Sequence, residues 1–362
     1  MRSTPVVAVH PKGGRQREDG CAAALARRLP LDRAPALHAA ASFVLFKTPF
    51  AHVPRLVPVL IAVCALLLSA CQTTRPPVPS PHPDRLRQQV DSLQAVTDSL
   101  SRAAFLRNPL LLSTLWVQTA VEYDGTARQA YVLAEQMMRR GLADSTWTAS
   151  TEQAEMGHQE YRDKPPAVVL DVDETVLDNS PYQARLIRED EAYGSESWGA
   201  WVRERQADPL PGARAFTQAA VQAGVQVIYL TNRDADLEGA TRDNLRAFGF
   251  PVDDAPDAVL TQGEQPGWEV KRPRRAWVAE RYRILLLVGD NFGDFAAEVD
   301  TTVAARRQRG RAFREYWGTR WIVLPNPQYG SWEGALHEFA YGRPRLQQLD
   351  AMHQQLRPKA SE

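Results

Sequence analysis

Four short apolar runs, rich in valine, leucine and isoleucine, alternate with helical stretches from residue 167 onward, and this alternation constrains the fold most. Continuous apolar strands separated by helices are typical of a parallel sheet that is covered on both faces. Two of the intervening stretches, residues 211–224 and 236–249, end in a glycine where a helix is expected to stop. We therefore predict a doubly wound, Rossmann-like α/β fold with helices on both faces of the sheet, plus a small, mostly helical domain. The four runs are AVVLDV from Ala167, VQVIYLT from Val225, ILLLVGD from Ile284 and WIVLP from Trp321.

Polar side chains follow each of the first three runs. The stretch DVDETVLD after the first run holds four acidic residues, at positions 171, 173, 174 and 178. The second run ends in Thr231 and Asn232, and the third ends in Asp290, with Asp294 one helical turn later. Ligands of doubly wound sheets bind outside the carboxyl ends of the strands. We therefore expect these side chains to meet at one edge of the sheet, where carboxylates so close together need a cation, a shared proton or full solvation.

The acidic residues suit the hydrolysis of phosphate esters. An ionised carboxylate that is fixed at a strand end and screened by a metal can attack a phosphomonoester, and Asp171 is placed for that role. Asp173 is placed to protonate the leaving oxygen and later to deprotonate water. Because hard oxygen ligands favour Mg²⁺, we predict a magnesium site made of Asp171, the backbone carbonyl of Asp173, Asp290 and Asp294. In this site Asp294 would orient a metal-bound water or hold Lys271.

Further residues are assigned to the substrate. Lys271 would balance charge on the nucleophile and on the transferring phosphoryl group. The Thr231 hydroxyl and the backbone amides after the nucleophile would bind the phosphoryl oxygens, with Asn232 as a neighbouring substrate-binding candidate. Asp178 and Asn179 are interpreted as capping or stapling the turn after the strand, in preference to contacting the substrate.

Five aromatic residues beside the motif segments are candidates for stacking on a base or pyridine ring, namely Tyr182, Trp198, Trp201, Tyr329 and Trp332. One stacked base contributes about 1 to 3 kcal/mol of binding free energy. The alternative is that the two tryptophans, which are three residues apart on a predicted helix, belong to the core. Tyr329 lies in the turn-forming segment PNPQYG after a strand and is the stronger candidate for a wall of the ligand site.

The order of these motifs resembles that of the haloacid dehalogenase-like phosphohydrolases: DxDxT at residues 171–175, Thr231 after a strand, Lys271, and GDxxxDF from Gly289. Longer segments resemble the bacterial lipoprotein 5′-nucleotidases, also called class C nonspecific acid phosphatases, over roughly residues 110–348. That resemblance implies a magnesium-dependent enzyme, anchored by lipid in the outer membrane, that removes phosphate from nucleoside monophosphates, including nicotinamide mononucleotide. One departure, a longer polar stretch between Gly141 and Lys164, lies outside the motifs. The segments are VLDVDETVLDNSPY, WGAWVRERQADPLPGA, YLTNRD, GDNFGDF and LPNPQYGSWEGAL.

A continuous apolar stretch lies well upstream of this region. Residues 57–70, VPVLIAVCALLLSA, are too short to span a bilayer comfortably but match the core of a signal peptide, and LSAC at 68–71 resembles a bacterial lipobox. Cys71 would then carry a diacylglyceryl anchor, and Gln72 after it favours the outer membrane, on its periplasmic or surface side. The alternative is a buried apolar helix with an incidental cysteine. Because residues 1–52 show no periodicity, we interpret them as a non-native or disordered extension upstream of the true start.

The predicted organisation runs from an N-terminal extension to a C-terminal tail. Within its helical segment, residues 85–100 carry an apolar stripe and residues 110–140 are predicted as a helix pair that Gly141 stops. The parts are the extension (1–52), the signal peptide (53–71), a Pro-rich tether (72–84), the helical segment (85–164), a phosphohydrolase α/β domain (165–345) with a small insertion at about 178–209, and the tail (346–362).

Composition and absent motifs limit the partners and the alternatives. Lys plus Arg number 43, as do Asp plus Glu, so nothing in the net charge favours a nucleic-acid polymer. The expected partners are a small-molecule phosphomonoester and the membrane that the lipid anchor enters; two heptads at 85–100 are too few to decide on a homodimer. The sequence contains no histidine-phosphatase, zinc-protease or P-loop motif. Two alternatives stay open: phosphotransfer to an alcohol on the same fold, and a non-catalytic surface lipoprotein that binds a ligand such as haem.

Overall fold

The computed structural model describes residues 83–105, 108–253 and 258–359. The predicted extension, the signal peptide with Cys71 and most of the Pro-rich tether lie outside the described residues. Within the described ranges, no helix combines the length and the apolar character needed to cross a membrane.

Strands of two kinds occur in the described part of the chain. Five of them form one sheet in which every neighbouring pair is parallel, and two form a short antiparallel ribbon. The strands are β1 (Pro166–Leu170), β2 (Leu177–Asp178), β3 (Asp208–Pro209), β4 (Gln226–Asp234), β5 (Val259–Gln262), β6 (Arg283–Gly289) and β7 (Trp321–Val323). The order in the large sheet is β5-β4-β1-β6-β7, which places β1 at its centre.

Helices precede, separate and follow these strands in the described part of the chain. They are α1 (Pro83–Phe105), α2 (Leu111–Thr119), α3 (Val121–Ala143), α4 (Thr151–Met156), α5 (Ser180–Glu189), α6 (Ser195–Glu204), α7 (Ala213–Gln222), α8 (Glu238–Ala247), α9 (Lys271–Arg281), α10 (Val303–Ala312), α11 (Ser331–Gly334) and α12 (Arg345–Gln354). Single 3-10 turns occur at His158–Glu160, Ala235–Leu237, Phe292–Asp294 and Ala335–His337.

Side chains of β1 alternate between two apolar clusters on opposite faces of the sheet, as the pleat of a strand requires. Val168 and Leu170 lie in one cluster together with Tyr131 of α3. Val169 lies in the other, together with Val278 of α9. Helices therefore cover both faces, and the predicted doubly wound α/β fold is confirmed.

The four apolar runs are confirmed as strands of this sheet. Sequence reasoning missed the edge strand β5, because its four residues, VLTQ, are too few to show a pattern. The insertion predicted at about residues 178–209 corresponds to the stretch from β2 to β3, which contains α5 and α6.

Gly141 does not stop a helix, contrary to the sequence prediction. The helix α3 continues to Ala143. A Cβ atom at position 141 would lie 2.9 Å from the Trp147 indole, so glycine is needed there for close packing. The same indole nitrogen donates a hydrogen bond of 2.8 Å to the Leu285 carbonyl of β6 and so ties the end of α3 to the sheet.

Candidate active site

The ends of three neighbouring strands bring the predicted site residues together. Because β4, β1 and β6 are adjacent and parallel, their carboxyl ends share one edge of the sheet. Asp171 follows β1, and its backbone N–H still bonds to the Val288 carbonyl of β6, at 2.9 Å. Thr231 lies within β4, two residues beyond Tyr229, which pairs with Leu170 at the end of β1, and Asp290 directly follows β6. The structure therefore brings these groups together at one edge of the sheet, as the sequence predicts.

The turn after β1 is held tightly by its own backbone and by a helix. The Val172 carbonyl accepts hydrogen bonds of 2.9 Å from the N–H groups of Val176 and Leu177. The Tyr131 hydroxyl of α3 donates to the Thr175 carbonyl at 2.5 Å. Glu174 has a left-handed φ of 54°, which a non-glycine residue adopts only when surrounding contacts impose it. The turn that carries both predicted catalytic aspartates is therefore a rigid element.

Lys271 bridges two of the carboxylates. As the first residue of α9, it donates through Nζ to Asp171 Oδ1 and, at 2.7 Å, to Asp294 Oδ1. All three residues are buried, each with 8% of its surface exposed. Burial lowers the pKa of Lys271, but the two carboxylates outweigh burial and raise it above the usual lysine value. Lys271 is therefore cationic beside Asp171.

Three carboxylates lie close together beside this single cation; those of Asp171 and Asp294 are buried, and that of Asp290 is half-buried. Asp171, Asp290 and Asp294 each offer an oxygen, and these oxygens all lie within 4.8 Å of one another. Burial raises the pKa of Asp171 well above its usual range, although Lys271 opposes the shift. Burial, with the neighbouring Asp294, raises the pKa of Asp290 to about 6. One lysine does not neutralise three carboxylates, so this cluster of hard oxygen donors fits a divalent cation such as Mg²⁺.

Several side chains and one glycine hold Asp290 and Asp294 in place. Thr175 Oγ1 donates to Asp290 Oδ1 at 3.3 Å, and Asn326 Nδ2 donates to Asp290 Oδ2 at 2.9 Å. The backbone N–H of Asn291 donates to Asp294 Oδ2 at 2.8 Å, so both oxygens of Asp294 have a partner. A Cβ atom on Gly289 would clash with the Asp294 side chain, including its own Cβ. Sequence reasoning missed these supporting residues, although the PNP turn and the Gly-Asp pair marked their positions.

Asp173 belongs to a separate hydrogen-bond network. Arg233 donates to its Oδ1 through Nη2 at 2.8 Å and through Nε at 3.0 Å. Asn179 Nδ2 donates to the same oxygen at 2.9 Å, and Thr231 Oγ1 donates to Oδ2 at 3.3 Å. The carboxylate of Asp173 is therefore bonded to groups outside the three-carboxylate cluster, and a contribution of this residue to a metal site would fall to its backbone carbonyl. Arg233 was not among the predicted site residues, although it follows Thr231 and Asn232 directly in the sequence.

Asp178 and Asn179 differ in what they do. Asp178 Oδ1 accepts a hydrogen bond of 2.8 Å from the Ser180 N–H at the start of α5, as a residue that staples a turn does. Asn179 is fully buried, and its side chain reaches Asp173 rather than the start of the helix. Asn232 Oδ1 accepts a hydrogen bond of 2.6 Å from Arg274 Nη2, which holds it beside the end of β4.

The aromatic candidates occupy two places. Tyr182 and Trp201 are buried, at 2% and 3% exposure, and Trp198 is half-buried between Tyr182 and Arg233. The ring centroids of Tyr182 and Trp198 lie 5.2 Å apart in an edge-to-face arrangement. Tyr329 is half-buried, and its N–H donates to Asn326 Oδ1 at 3.4 Å. Tyr329 therefore lies next to the residue that holds Asp290.

Comparison with known proteins agrees with this geometry. The family model of the HAD superfamily, subfamily IIIB (acid phosphatase), matches residues 112–332. The chain is similar to the class C acid phosphatase from Bacillus anthracis with tungstate bound, at 31% identity and a TM-score of 0.62, covering 69% of this chain and 98% of that chain. A second structure of the class C acid phosphatase from that organism gives 30% identity and a TM-score of 0.59, with the same coverage.

Curated relatives match over a shorter stretch. Acid phosphatase 1 of Solanum lycopersicum is 30% identical over 171 residues, which are 44% of this chain and 57% of that protein. The chain spans between 54% and 58% of the length of the curated relatives that it matches.

Proposed function

The chain belongs to the acid phosphatases of the HAD superfamily, subfamily IIIB, and we propose that it is a magnesium-dependent phosphomonoesterase that acts on nucleoside monophosphates through an aspartyl phosphate. The observation that carries this proposal is the position of Asp171. It is fixed at the end of the central strand, bonded to a buried lysine, and close to two further carboxylates, those of Asp290 and Asp294. The tungstate in the similar Bacillus anthracis structure is a tetrahedral oxyanion like phosphate, which supports a phosphoryl site in this fold.

The reaction would proceed in two half-reactions at the same two aspartates. An Asp171 carboxylate oxygen attacks phosphorus, the bond between phosphorus and the ester oxygen breaks, and Asp173 gives its proton to the leaving alkoxide. Water then attacks the phosphorus of the aspartyl phosphate, gives a proton to Asp173, and releases phosphate while the Asp171 carboxylate is restored. The alcohol and phosphate are the products, and both aspartates return to their initial states.

Charge on the transferring group would be stabilised by groups already in place. Lys271 lies against the nucleophile, the Thr231 hydroxyl lies at the end of β4, and the backbone amides of the turn after β1 are held rigid. Preorganised donors of this kind stabilise developing charge without rearranging during the reaction. Mg²⁺, held by Asp171, Asp290 and the Asp173 carbonyl with Asp294 beside it, would supply Lewis-acid stabilisation of the phosphoryl oxygens.

Nucleoside monophosphates, including nicotinamide mononucleotide, are the proposed substrates. Tyr329 is the proposed stacking partner, because it lies next to the Asn326 that holds Asp290 and keeps part of its surface exposed. The tryptophans of α6 are proposed instead as support for Asp173, since one is buried and the other packs on Arg233.

An outer-membrane location through a lipid on Cys71 is part of the proposal and rests on the sequence, namely on the LSAC segment, on Gln72 after it and on the resemblance to lipoprotein nucleotidases. Metabolic labelling with palmitate tests it. We expect label on the wild-type protein and none on Cys71→Ser, and label on the variant would disprove lipidation at this residue.

Phosphate release by the purified full chain tests the enzymatic proposal. The substrates are nucleoside monophosphates, nicotinamide mononucleotide and glycerol phosphate, each with Mg²⁺ or with EDTA. We expect metal-dependent release, a preference for the nucleotides, and no release by Asp171→Asn. Absence of release from every ester would reject the proposal and favour a ligand-binding role, whereas equal rates in Mg²⁺ and EDTA would reject the metal dependence.

A further inference from the structure

Two tryptophans of α6, Trp198 and Trp201, are both linked to Asp173 through one intervening residue each. They are three positions apart, so they lie on the same face of the helix. That helix belongs to the stretch between β2 and β3, whereas Asp173 lies in the turn after β1. The aspartate is thus held from outside its own turn.

The first link runs from Trp201 through Asn179. The Trp201 indole Nε1 donates to Asn179 Oδ1 at 2.8 Å, and Asn179 Nδ2 donates to Asp173 Oδ1 at 2.9 Å. Asn179 is fully buried, so water does not replace either partner. Both the oxygen and the nitrogen of the Asn179 amide are therefore paired within the protein.

The chemistry of the indole fixes which way the amide faces. An indole N–H can only donate, so it requires the carbonyl oxygen of Asn179 on its side. The amino group then faces Asp173, to which it can donate. The reversed amide would set its oxygen against the Asp173 carboxylate and its amino group against the indole N–H. Glu174 Oε2 lies 3.5 Å from the same amino group and favours the same orientation. A carboxylate cannot donate to the amide oxygen, however, so removal of the indole leaves that oxygen without its donor.

The second link runs from Trp198 through Arg233. The Arg233 guanidinium carbon lies 5.7 Å from the centre of the Trp198 ring, and its nitrogens bond to Asp173 Oδ1. Arg233 is 1% exposed, so its orientation is also set by packing. Both links reach Oδ1; Oδ2 accepts from Thr231 Oγ1 at 3.3 Å and from Arg233 Nε at 3.4 Å.

We infer that Trp201 is a positioning residue for Asp173, acting through the amide of Asn179. The inference rests on the proposed function, in which Asp173 protonates the leaving oxygen. Among the described residues, Trp201 donates its hydrogen bond to Asn179 and not to the three-carboxylate cluster. It therefore acts on the proposed proton donor, Asp173, and not on the proposed nucleophile, Asp171.

A proton donor matters most when the leaving group is a strong base. Protonation of the leaving oxygen is needed for an alkoxide, whereas p-nitrophenolate departs without it. Loss of the link should therefore slow alkyl esters and spare p-nitrophenyl phosphate. A variant that merely loosened the fold would slow both esters alike.

The test compares kcat/KM for glycerol phosphate and for p-nitrophenyl phosphate, neither of which carries a nucleobase. For Trp201→Phe we expect kcat/KM to fall by about tenfold for glycerol phosphate and by less than about twofold for p-nitrophenyl phosphate. The tenfold loss is a part of the 10²- to 10⁴-fold rate gain that general acid catalysis typically supplies. Trp147→Phe is the matched control, because Trp147 is also 3% exposed and its indole also donates at 2.8 Å, to the Leu285 carbonyl far from Asp173 in sequence. It should change the ratio of the two rates by less than about twofold.

A double-mutant cycle checks that Asn179 is the intermediary. In the Asn179→Ala background, Trp201→Phe should cost no further activity on glycerol phosphate, because the link is already broken. If Trp201→Phe does not fold, Asn179→Ala with the same two esters decides the question, since it removes the same link. Equal losses on both esters, or additive losses in the cycle, would overturn the inference while leaving the phosphatase function intact. A wild-type protein that releases phosphate from no ester, nucleoside monophosphates included, would overturn both.

Discussion

Replacement of Lys271 by methionine should destabilise the metal-free protein strongly at neutral pH. Methionine keeps much of the volume but removes the cation that bonds to Asp171 and, at 2.7 Å, to Asp294. The side chain of Lys271 is 7% exposed, and those of Asp171 and Asp294 are 9% and 7% exposed. Water therefore cannot replace the lost partner. Removing one member of a buried ion pair costs about 3 to 5 kcal/mol of unfolding free energy.

The loss should depend on pH in a definite direction. Burial already raises the pKa of Asp171, and of Asp290 from 3.8 to about 6. A carboxyl whose pKa is higher in the folded than in the unfolded protein stabilises the fold when protonated, and that stability is lost as pH rises through the folded pKa. Without Lys271 these shifts should grow, so the variant should approach wild-type stability at pH 4 and fall away from it above pH 6.

Urea unfolding in EDTA at pH 4 and pH 8 measures this difference. Lys164→Met is the matched control, because Lys164 Nζ donates at 3.0 Å to a neutral partner, the Ala279 carbonyl. Loss of that hydrogen bond should cost about 0.5 to 1.5 kcal/mol at both pH values. If Lys271→Met cost no more than the control at pH 8, or as much at pH 4 as at pH 8, the reasoning about a buried cation among ionised carboxylates would be refuted.

Three further substitutions test other parts of the site. Gly289→Ala should lower phosphatase activity by about 10²-fold, because the new Cβ displaces Asp294. Gly293→Ala is the control and should retain most of the activity, since a Cβ there would meet nothing closer than 3.7 Å. Equal losses in the two variants would contradict the packing argument. Asn326→Ala removes the 2.9 Å hydrogen bond that orients the Asp290 carboxylate. It should raise the Mg²⁺ concentration for half-maximal activity by about 10- to 100-fold, measured by titrating activity with Mg²⁺. An unchanged midpoint of this titration would contradict the role of Asn326. Tyr329→Ala should raise KM for nucleoside monophosphates by roughly five- to 150-fold, the equivalent of one stacked base, without changing KM for glycerol phosphate; a parallel rise for both would place the effect elsewhere.

The sequence predicts the sheet and the acidic cluster well because both follow from local rules. A buried parallel strand reads as an apolar run, and the polar residues after three such runs had to share one edge once the sheet was parallel. The strand ends thus predict that Asp171, Asp290 and Asp294 lie together, and the resemblance of the motifs adds Lys271. Spacing alone does not show that the carboxylate of Asp173 is bonded to Arg233 and Asn179.

Pairings across long separations were not predictable. Arg233 lies 60 residues from Asp173, and an arginine after a strand is usually a solvated charge. Trp201 lies 22 residues from Asn179; its helical spacing gives the face but not which donor meets which acceptor. The sequence predicts a helix stop at Gly141, since the Trp147 indole that packs on this glycine is visible only in three dimensions.

The hydrogen bond from the Tyr131 hydroxyl to the Thr175 carbonyl has a consequence for any shortened version of the protein. Tyr131 is 3% exposed and contributes to the apolar cluster on one face of the sheet, although it lies before the first strand of the α/β region. A fragment started at residue 165 would contain every proposed catalytic and metal-binding side chain and yet lack the helix that buttresses the loop carrying two of them. The smallest excisable phosphatase should therefore include α3, and a fragment without it should be soluble only with difficulty and inactive even where the sheet assembles.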